Sequence, residues 1–249
     1  MKFYVITLFP ETIESYINES ILGRAIKQKK ISVSLVNPRK FVTGKYKKVW
    51  PDGNISLQVD DRPYGGGPGM VMRAEPIIKA VESVLKVIKN YELRIKNKKS
   101  KFKEVQPRAG LGYYTSKILI INFVPSAEKF TTEVAKNISK KYTDVIMICG
   151  RYEGIDSRVD KILKTKQISI GDYVLTGGEI PAMVLIDSIS RQVEGVLGNF
   201  NSREEERISS SEIYTRPEIL IHSKKKYKVP QVLLSGHQKN IEEWKNKGK

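Results

Sequence analysis

The chain has 249 residues, 40% of them apolar, which is enough to bury a core and excludes a globally disordered chain. Its 44 Lys and Arg against 27 Asp and Glu give a formal charge of +17, which favours an anionic partner, nucleic acid before a membrane surface. Cys149 is the single cysteine, so an intrachain disulfide and a cysteine zinc site are excluded, and His222 and His237 have no partners at metal-ligand spacing.

Phe3 to Leu8 reads as a short strand stopped by Pro10 and Glu11. It is too short to span a bilayer and lacks a small-residue cleavage site, so a cytoplasmic setting is the expectation. Glu11 to Lys29 reads as one helix, with Ile13, Ile17, Ile21 and Ile26 near one face. Ile31 to Val36 alternates with period two and stops at the breaker pair Asn37-Pro38. Ala74 to Asn90 is a second helix whose apolar side carries Ile77, Ile78, Val81, Val84, Leu85 and Ile88. Arg94 to Lys103 is mostly cationic without an apolar period and reads as an exposed insertion. Ile118 to Val124 and Val145 to Cys149 are near-continuous apolar runs, the pattern of strands covered on both faces, with helix-compatible Ser126 to Lys140 between them. Ile180 to Val193 is a further helix, entered through Gly177-Gly178-Glu179. Strands alternating with helices predict the α/β class, with a mostly parallel sheet and helices on both faces. Asn199 to Ser211 reads as a linker, and Tyr214 to Lys249 offers one short helix around Ile241 and Trp244.

Three clusters carry chemistry. In Asp60-Asp61-Arg62-Pro63-Tyr64-Gly65-Gly66-Gly67-Pro68-Gly69-Met70, glycines let backbone N–H groups approach a phosphate or carboxylate, although an ordinary turn has the same composition. The lysine and hydroxyl of a phosphate loop are absent, and no GxGxxG follows a strand, which argues against nucleotide-triphosphate and dinucleotide chemistry. Cys149-Gly150-Arg151-Tyr152-Glu153-Gly154-Ile155-Asp156 follows a buried strand, where open α/β sheets bind ligands; Arg151 and Glu153 also fit a plain surface ion pair. Ile168 to Glu179 is apolar and glycine-punctuated, a loop suited to wrapping a ligand whose identity composition leaves open.

These clusters, in this order, resemble the bacterial tRNA (guanine-N(1)-)-methyltransferases of the SPOUT superfamily. The likeness covers most of residues 1–198, resumes at Tyr214-Thr215-Arg216-Pro217-Glu218 and continues through Leu234-Ser235-Gly236-His237. It implies a knotted α/β S-adenosylmethionine-binding domain over 1–198 with a trefoil knot, a flexible linker over 199–213, and a small helical tRNA-binding domain over 214–249. It also implies a homodimer acting on the anticodon stem-loop of tRNA, with methyl transfer to N(1) of the guanosine immediately 3′ of the anticodon.

By the same resemblance, Pro125, Gly150, Ile170, Gly171, Asp172, Tyr173, Val174, Leu175, Gly177, Gly178 and Pro181 line the cofactor pocket. Arg191 is the cation that stabilises charge developing on the 6-keto oxygen; read from the sequence alone it is a solvent-facing helix charge. Glu153 is a carboxylate in contact with substrate or with Mg2+. The general base of the family is a linker aspartate in a Glu-Asp-Ser-Phe context, and here Glu206, in Arg203-Glu204-Glu205-Glu206-Arg207-Ile208, aligns with it. A second departure is Asn122-Phe123-Val124-Pro125-Ser126-Ala127, where the family usually has Tyr-Leu-Ser-Pro-Gln-Gly. Two other readings fit these departures: a non-catalytic RNA-binding relative, and a SPOUT methyltransferase with a different RNA target.

Overall fold

In the computed structural model, which describes residues 1–101, 117–197 and 212–247, the apolar runs become strands of one sheet. β1 (Lys2–Ile6) is followed by α1 (Pro10–Ile17), α2 (Ser20–Lys27) and β2 (Ser32–Val36). Two antiparallel ladders follow, β3 (Lys47–Val49) with β4 (Ile55–Leu57) and β5 (Asp60–Asp61) with β6 (Val71–Met72), and then the long helix α3 (Ala74–Lys101). The order continues as β7 (Ile118–Phe123), α4 (Thr132–Lys141), β8 (Asp144–Ile148), α5 (Arg158–Leu163), β9 (Lys166–Ile168) and α6 (Glu179–Ser190).

The main sheet runs β2-β1-β8-β7-β9, and every neighbouring pair is parallel. The carboxyl ends of all five strands therefore meet one edge of the sheet. Side chains alternate between its faces and divide the core in two. Phe3, Val5, Ile121, Val145 and Met147 point to the face covered by α1, α2, α4 and α6, against Ile13, Leu22, Ile138 and Leu185. Tyr4, Ile6, Ile146 and Ile148 point to the other, under α3 and α5, against Ile77, Val81, Val84 and Val159. Each fully buried Ile, Leu or Val stabilises the fold by about 1.5–3 kcal/mol relative to exposure. The α/β class with helices on both faces of a parallel sheet is thus the fold of residues Met1–Leu197, one of two compact units of the chain.

The single helix predicted for Glu11 to Lys29 is two helices. The N–H of Asn18 bonds back to Glu14 O, and Ser20 turns the chain with φ +51°. A Cβ at Gly23 would stand 2.1 Å from Asn18 O, so glycine is what lets α2 pack this tightly against the turn. Periodicity hides the break, because Ile13, Ile17, Leu22 and Ala25 all face the same core. The insertion predicted for Arg94 to Lys103 is instead helical as far as Lys101, while Phe102 and Lys103 lie outside the described residues. Lys, Arg, Leu and Glu are good helix formers, and extending a helix already anchored by Ile77 to Ile88 needs no new nucleus.

The second unit spans Gly198–Lys249. It holds the hairpin β10 (Ile219–His222) and β11 (Lys225–Lys228), then α7 (Gln231–Leu234) and α8 (Gln238–Lys247). The helix expected around Ile241 and Trp244 is α8, and the Trp244 ring lies 6.3 Å from that of Tyr214. The hairpin is an addition that the sequence did not announce. Ser223 and Lys224 take φ of +49° and +64° to close it, the backbone of a tight two-residue turn without the usual Asn-Gly. His222 ends β10 on its exposed face, and His237 precedes α8 with its carbonyl accepting from Ile241 N. The linker expected over Asn199 to Ser211 lies outside the described residues.

Candidate functional site

Three adjacent strands, β8, β7 and β9, deliver their following loops to one place at the carboxyl edge of the sheet. The loops enclose a cavity of about 440 Å³, within the usual range for a small-molecule site. Pro125, Gly150, Ile170, Gly171, Tyr173, Val174, Leu175, Gly177, Gly178 and Pro181 all line it, and so does Glu153. Of the predicted pocket residues only Asp172 turns aside. Its carboxylate pairs with Lys129 on the exposed surface, 2.5 Å away. Arg191 caps the far end of α6, partly buried and outside the cavity lining. Glu206 lies outside the described residues.

Five glycines, Gly150, Gly154, Gly171, Gly177 and Gly178, line the cavity, and Gly178 is there because the loops touch. A Cβ on Gly178 would sit 2.6 Å from the Cys149 Cα, so any side chain would push apart the start of α6 and the end of β8. Gly178 N donates to Gly150 O at 3.0 Å and ties the two loops together. At the rim, Gly171 leaves room for the Tyr173 ring, whose hydroxyl donates to Ile170 O at 3.2 Å. Tyr173 and Val174 are exposed, so the loop presents apolar groups at the mouth.

Beneath the loops is a buried charge network that sequence reading did not assign. Glu179 is 2% exposed and accepts from Thr7 Oγ1 at 2.7 Å, and its other oxygen lies 3.0 Å from the Arg151 guanidinium. Arg151 therefore pairs with Glu179, not with Glu153 on the surface. The same guanidinium stacks on the Phe9 ring at 4.5 Å and donates to Thr176 O at 3.3 Å, bracing the third cluster from below. Cys149 is buried beside it, and desolvation pushes its thiol well above the ordinary range, so it stays protonated and inert.

Glu153 stands where two cavities meet. Tyr152, at φ +61°, and Gly154, at +121°, turn the loop so that Glu153 N donates to Met70 O. Met72 then pairs on both sides, donating to Gly154 O and accepting from Asp156 N. The glycine-rich cluster is thereby hydrogen-bonded to the second cluster, and a Cβ at Gly69 would meet the Glu153 side chain at 2.6 Å. On the far side opens a wider cavity of about 1330 Å³, lined by Arg62, Tyr64, Arg73, Glu75, Glu82 and Arg158 among others. Asp156 borders it, and the hydrogen bond from Arg158 holds its carboxyl below the ordinary carboxylate range. Among the described residues no group of three or more His, Cys, Asp or Glu side chains is arranged to hold a metal ion. Among them, too, no helix is long and apolar enough to cross a membrane.

Sequence reading named Asn122 only within a departure from the family motif and missed Asp160 and Gln167; all three line the first cavity. The signal was a polar residue near the end of an otherwise apolar strand, Ile118 to Phe123.

A family model described as tRNA (Guanine-1)-methyltransferase TrmD matches residues 1–249. A tRNA (guanine-N(1)-)-methyltransferase of Lachnoclostridium phytofermentans is 39% identical over 98% of this chain and 85% of its own length. Proteins of the same name from Clostridioides difficile and Caldicellulosiruptor saccharolyticus are 39% and 41% identical, each over 98% of this chain and over 90% and 84% of their own lengths.

Proposed function

The chain belongs to the tRNA (guanine-1)-methyltransferase family, and on that premise we propose that it moves a methyl group from S-adenosylmethionine to N(1) of the guanosine immediately 3′ of a tRNA anticodon. The observation that carries the cofactor assignment is the small cavity at the carboxyl edge of β8, β7 and β9, walled by backbone and glycine. Its size, its apolar lining of Ile170, Leu175 and Pro181, and the Gly178–Cys149 contact that forbids a side chain all suit a compact nucleoside.

When bound, S-adenosylmethionine supplies a methyl group on a positively charged sulfur. Everything else falls to the protein. Guanine N(1) holds a proton and attacks only once a base has removed it. Glu206 is the base in this reading, supplied by the linker of a second copy of the chain, and a glutamate has nearly the proton affinity of the family's aspartate. Its extra methylene displaces the carboxylate by roughly 1 Å, a shift that can cost about 100-fold in rate unless the linker backbone adjusts.

As the proton leaves, charge grows on the 6-keto oxygen, and Arg191 is the cation that meets it in this reading. Along α6 it lies about 20 Å from Gly178 at the helical rise, which supports its serving the cavity of a second copy in a homodimer. Glu153, between the two cavities, positions the base as it passes from the wide cavity toward the narrow one. No carboxylate cluster for magnesium is built among the described residues. The anticodon loop reaches the wide cavity, where Arg62 and Arg158 meet phosphates; such loops are read through unstacked bases. The setting in this reading is the cytoplasm.

The test is a single-turnover assay with Arg191→Ala and Glu206→Gln beside the unaltered chain. Each variant is expected to lose at least 100-fold in rate while still binding S-adenosylhomocysteine. Full rate in Glu206→Gln would remove that residue from the base role, and full rate in Arg191→Ala would return it to a helix charge.

A further inference from the structure

One hydrogen-bond acceptor among the residues that line the small cavity is buried and unpaired. Asn122, on β7, is 5% exposed, and its Nδ2 donates to both carboxylate oxygens of Asp160 at 3.0 and 3.2 Å. The same carboxylate accepts from Thr165 Oγ1 and from Gln167 Nε2. A carboxylate that takes three donors offers only lone pairs, so the amide nitrogen of Asn122 must face it and the amide oxygen must face away. That oxygen, Oδ1, has no hydrogen-bond partner among the described residues. Asn122, Asp160 and Gln167 together line the cavity.

A buried acceptor without a donor is costly, and proteins rarely keep one outside a binding site. Here the network makes it a good acceptor as well, since an amide that donates to a carboxylate gains electron density on its oxygen. Phe123, Val124 and Ile168 line the cavity beside it. The polar neighbours Asp160 and Gln167 bond to each other, Asp160 also accepts from the amide nitrogen, and neither bonds to this oxygen. The acceptor also stands at a position where this chain departs from the family motif.

We propose that Asn122 Oδ1 accepts a hydrogen bond from an N–H or O–H of the adenosine of S-adenosylmethionine, and that Asn122 is a specificity-determining residue held in orientation by Asp160. The assignment rests on the cofactor reading above. The donor is either the exocyclic amine of the base or one of the ribose hydroxyls, and the experiment separates them.

Calorimetric titration of the full chain with S-adenosylhomocysteine is run beside its 6-oxo, 2′-deoxy and 3′-deoxy analogues, on the unaltered protein and on Asn122→Leu. The variant keeps the volume and removes the acceptor. It is expected to bind S-adenosylhomocysteine about tenfold more weakly. One analogue, the one that lacks the contacted donor, is expected to bind both proteins within about twofold, while the other two keep the tenfold gap. Asn122→Ser, which withdraws the oxygen by shortening the side chain, repeats the comparison if the leucine variant does not fold. An equal loss for all four ligands means a structural role only and overturns the proposal, as does no loss for any. Failure of the unaltered chain to bind S-adenosylhomocysteine overturns the cofactor reading itself, and this assignment with it.

Discussion

The two cavities that share Glu153 are built in opposite ways. The smaller, about 440 Å³, is walled by glycines, apolar side chains and backbone that three parallel strands bring together. The larger, about 1330 Å³, is bordered by charged and aromatic side chains, among them Arg62, Tyr64, Arg73 and Arg158, and the glycine run that follows Tyr64 has nothing within 4 Å of its Cβ positions at Gly65, Gly66 and Gly67. A site made of backbone fixes one small ligand, because its shape cannot change without moving the sheet. The wider site is bordered by charged side chains of both signs, Arg62, Arg73, Lys79 and Arg158 with Asp61, Glu75, Glu82 and Asp156, and is roomy enough for a larger ligand. Glu153 stands at their junction.

That contrast can be broken at several points. The largest effect is expected under the small cavity. Arg151→Met strands the carboxylate of Glu179, which is 2% exposed, and is expected to cost about 3–5 kcal/mol in urea unfolding; a loss below 1 kcal/mol would show that Thr7 alone satisfies the charge. Next, Gly178→Ala is expected to weaken S-adenosylhomocysteine about 100-fold by calorimetry, since its Cβ meets the Cys149 Cα at 2.6 Å. Gly66→Ala, in open space at φ +79°, should change that affinity less than about threefold and carry only the strain of a left-handed residue. Equal effects at the two glycines would erase the distinction.

Arg62→Ala with Arg158→Ala is expected to lower tRNA affinity about tenfold and flatten its salt dependence, leaving cofactor affinity unchanged. The smallest effect is at Asp156. Its carboxyl is held below the ordinary value, so its contribution is present above about pH 4 and lost as pH falls through the folded value. Asp156→Asn should cost under about 1 kcal/mol at pH 7, because Arg158 is exposed, and nothing below that range. Urea unfolding at the two pH values checks the sign.

The sequence made the strands legible because Val145 to Cys149 and Ile118 to Val124 are apolar throughout, as both-faced burial demands. The cavity loops were legible through resemblance, and all but Asp172 of the pocket residues it named converge on one cavity, while Arg191 lies outside that lining and Glu206 outside the described residues. What stayed hidden depends on contacts between distant segments. Gly23 marks a helix break only once Asn18 is known to lie against it. Glu179 looks like an exposed helix start until Thr7 and Arg151 close over it. Asn122 and Asp160 are 38 residues apart, and nothing in either's neighbourhood announces the other. Lys225 to Lys228 reads as a cationic run and not as a strand, since its pairing with Ile219 to His222 comes from the turn between them.

The most direct measurement is methyl transfer from labelled S-adenosylmethionine to two tRNA transcripts that differ only in having guanosine or adenosine immediately 3′ of the anticodon, with the product base identified by mass spectrometry. The expected result is 1-methylguanosine in the first transcript and no label in the second. Transfer to neither transcript, with tRNA still bound, or equal transfer to both, would contradict the account.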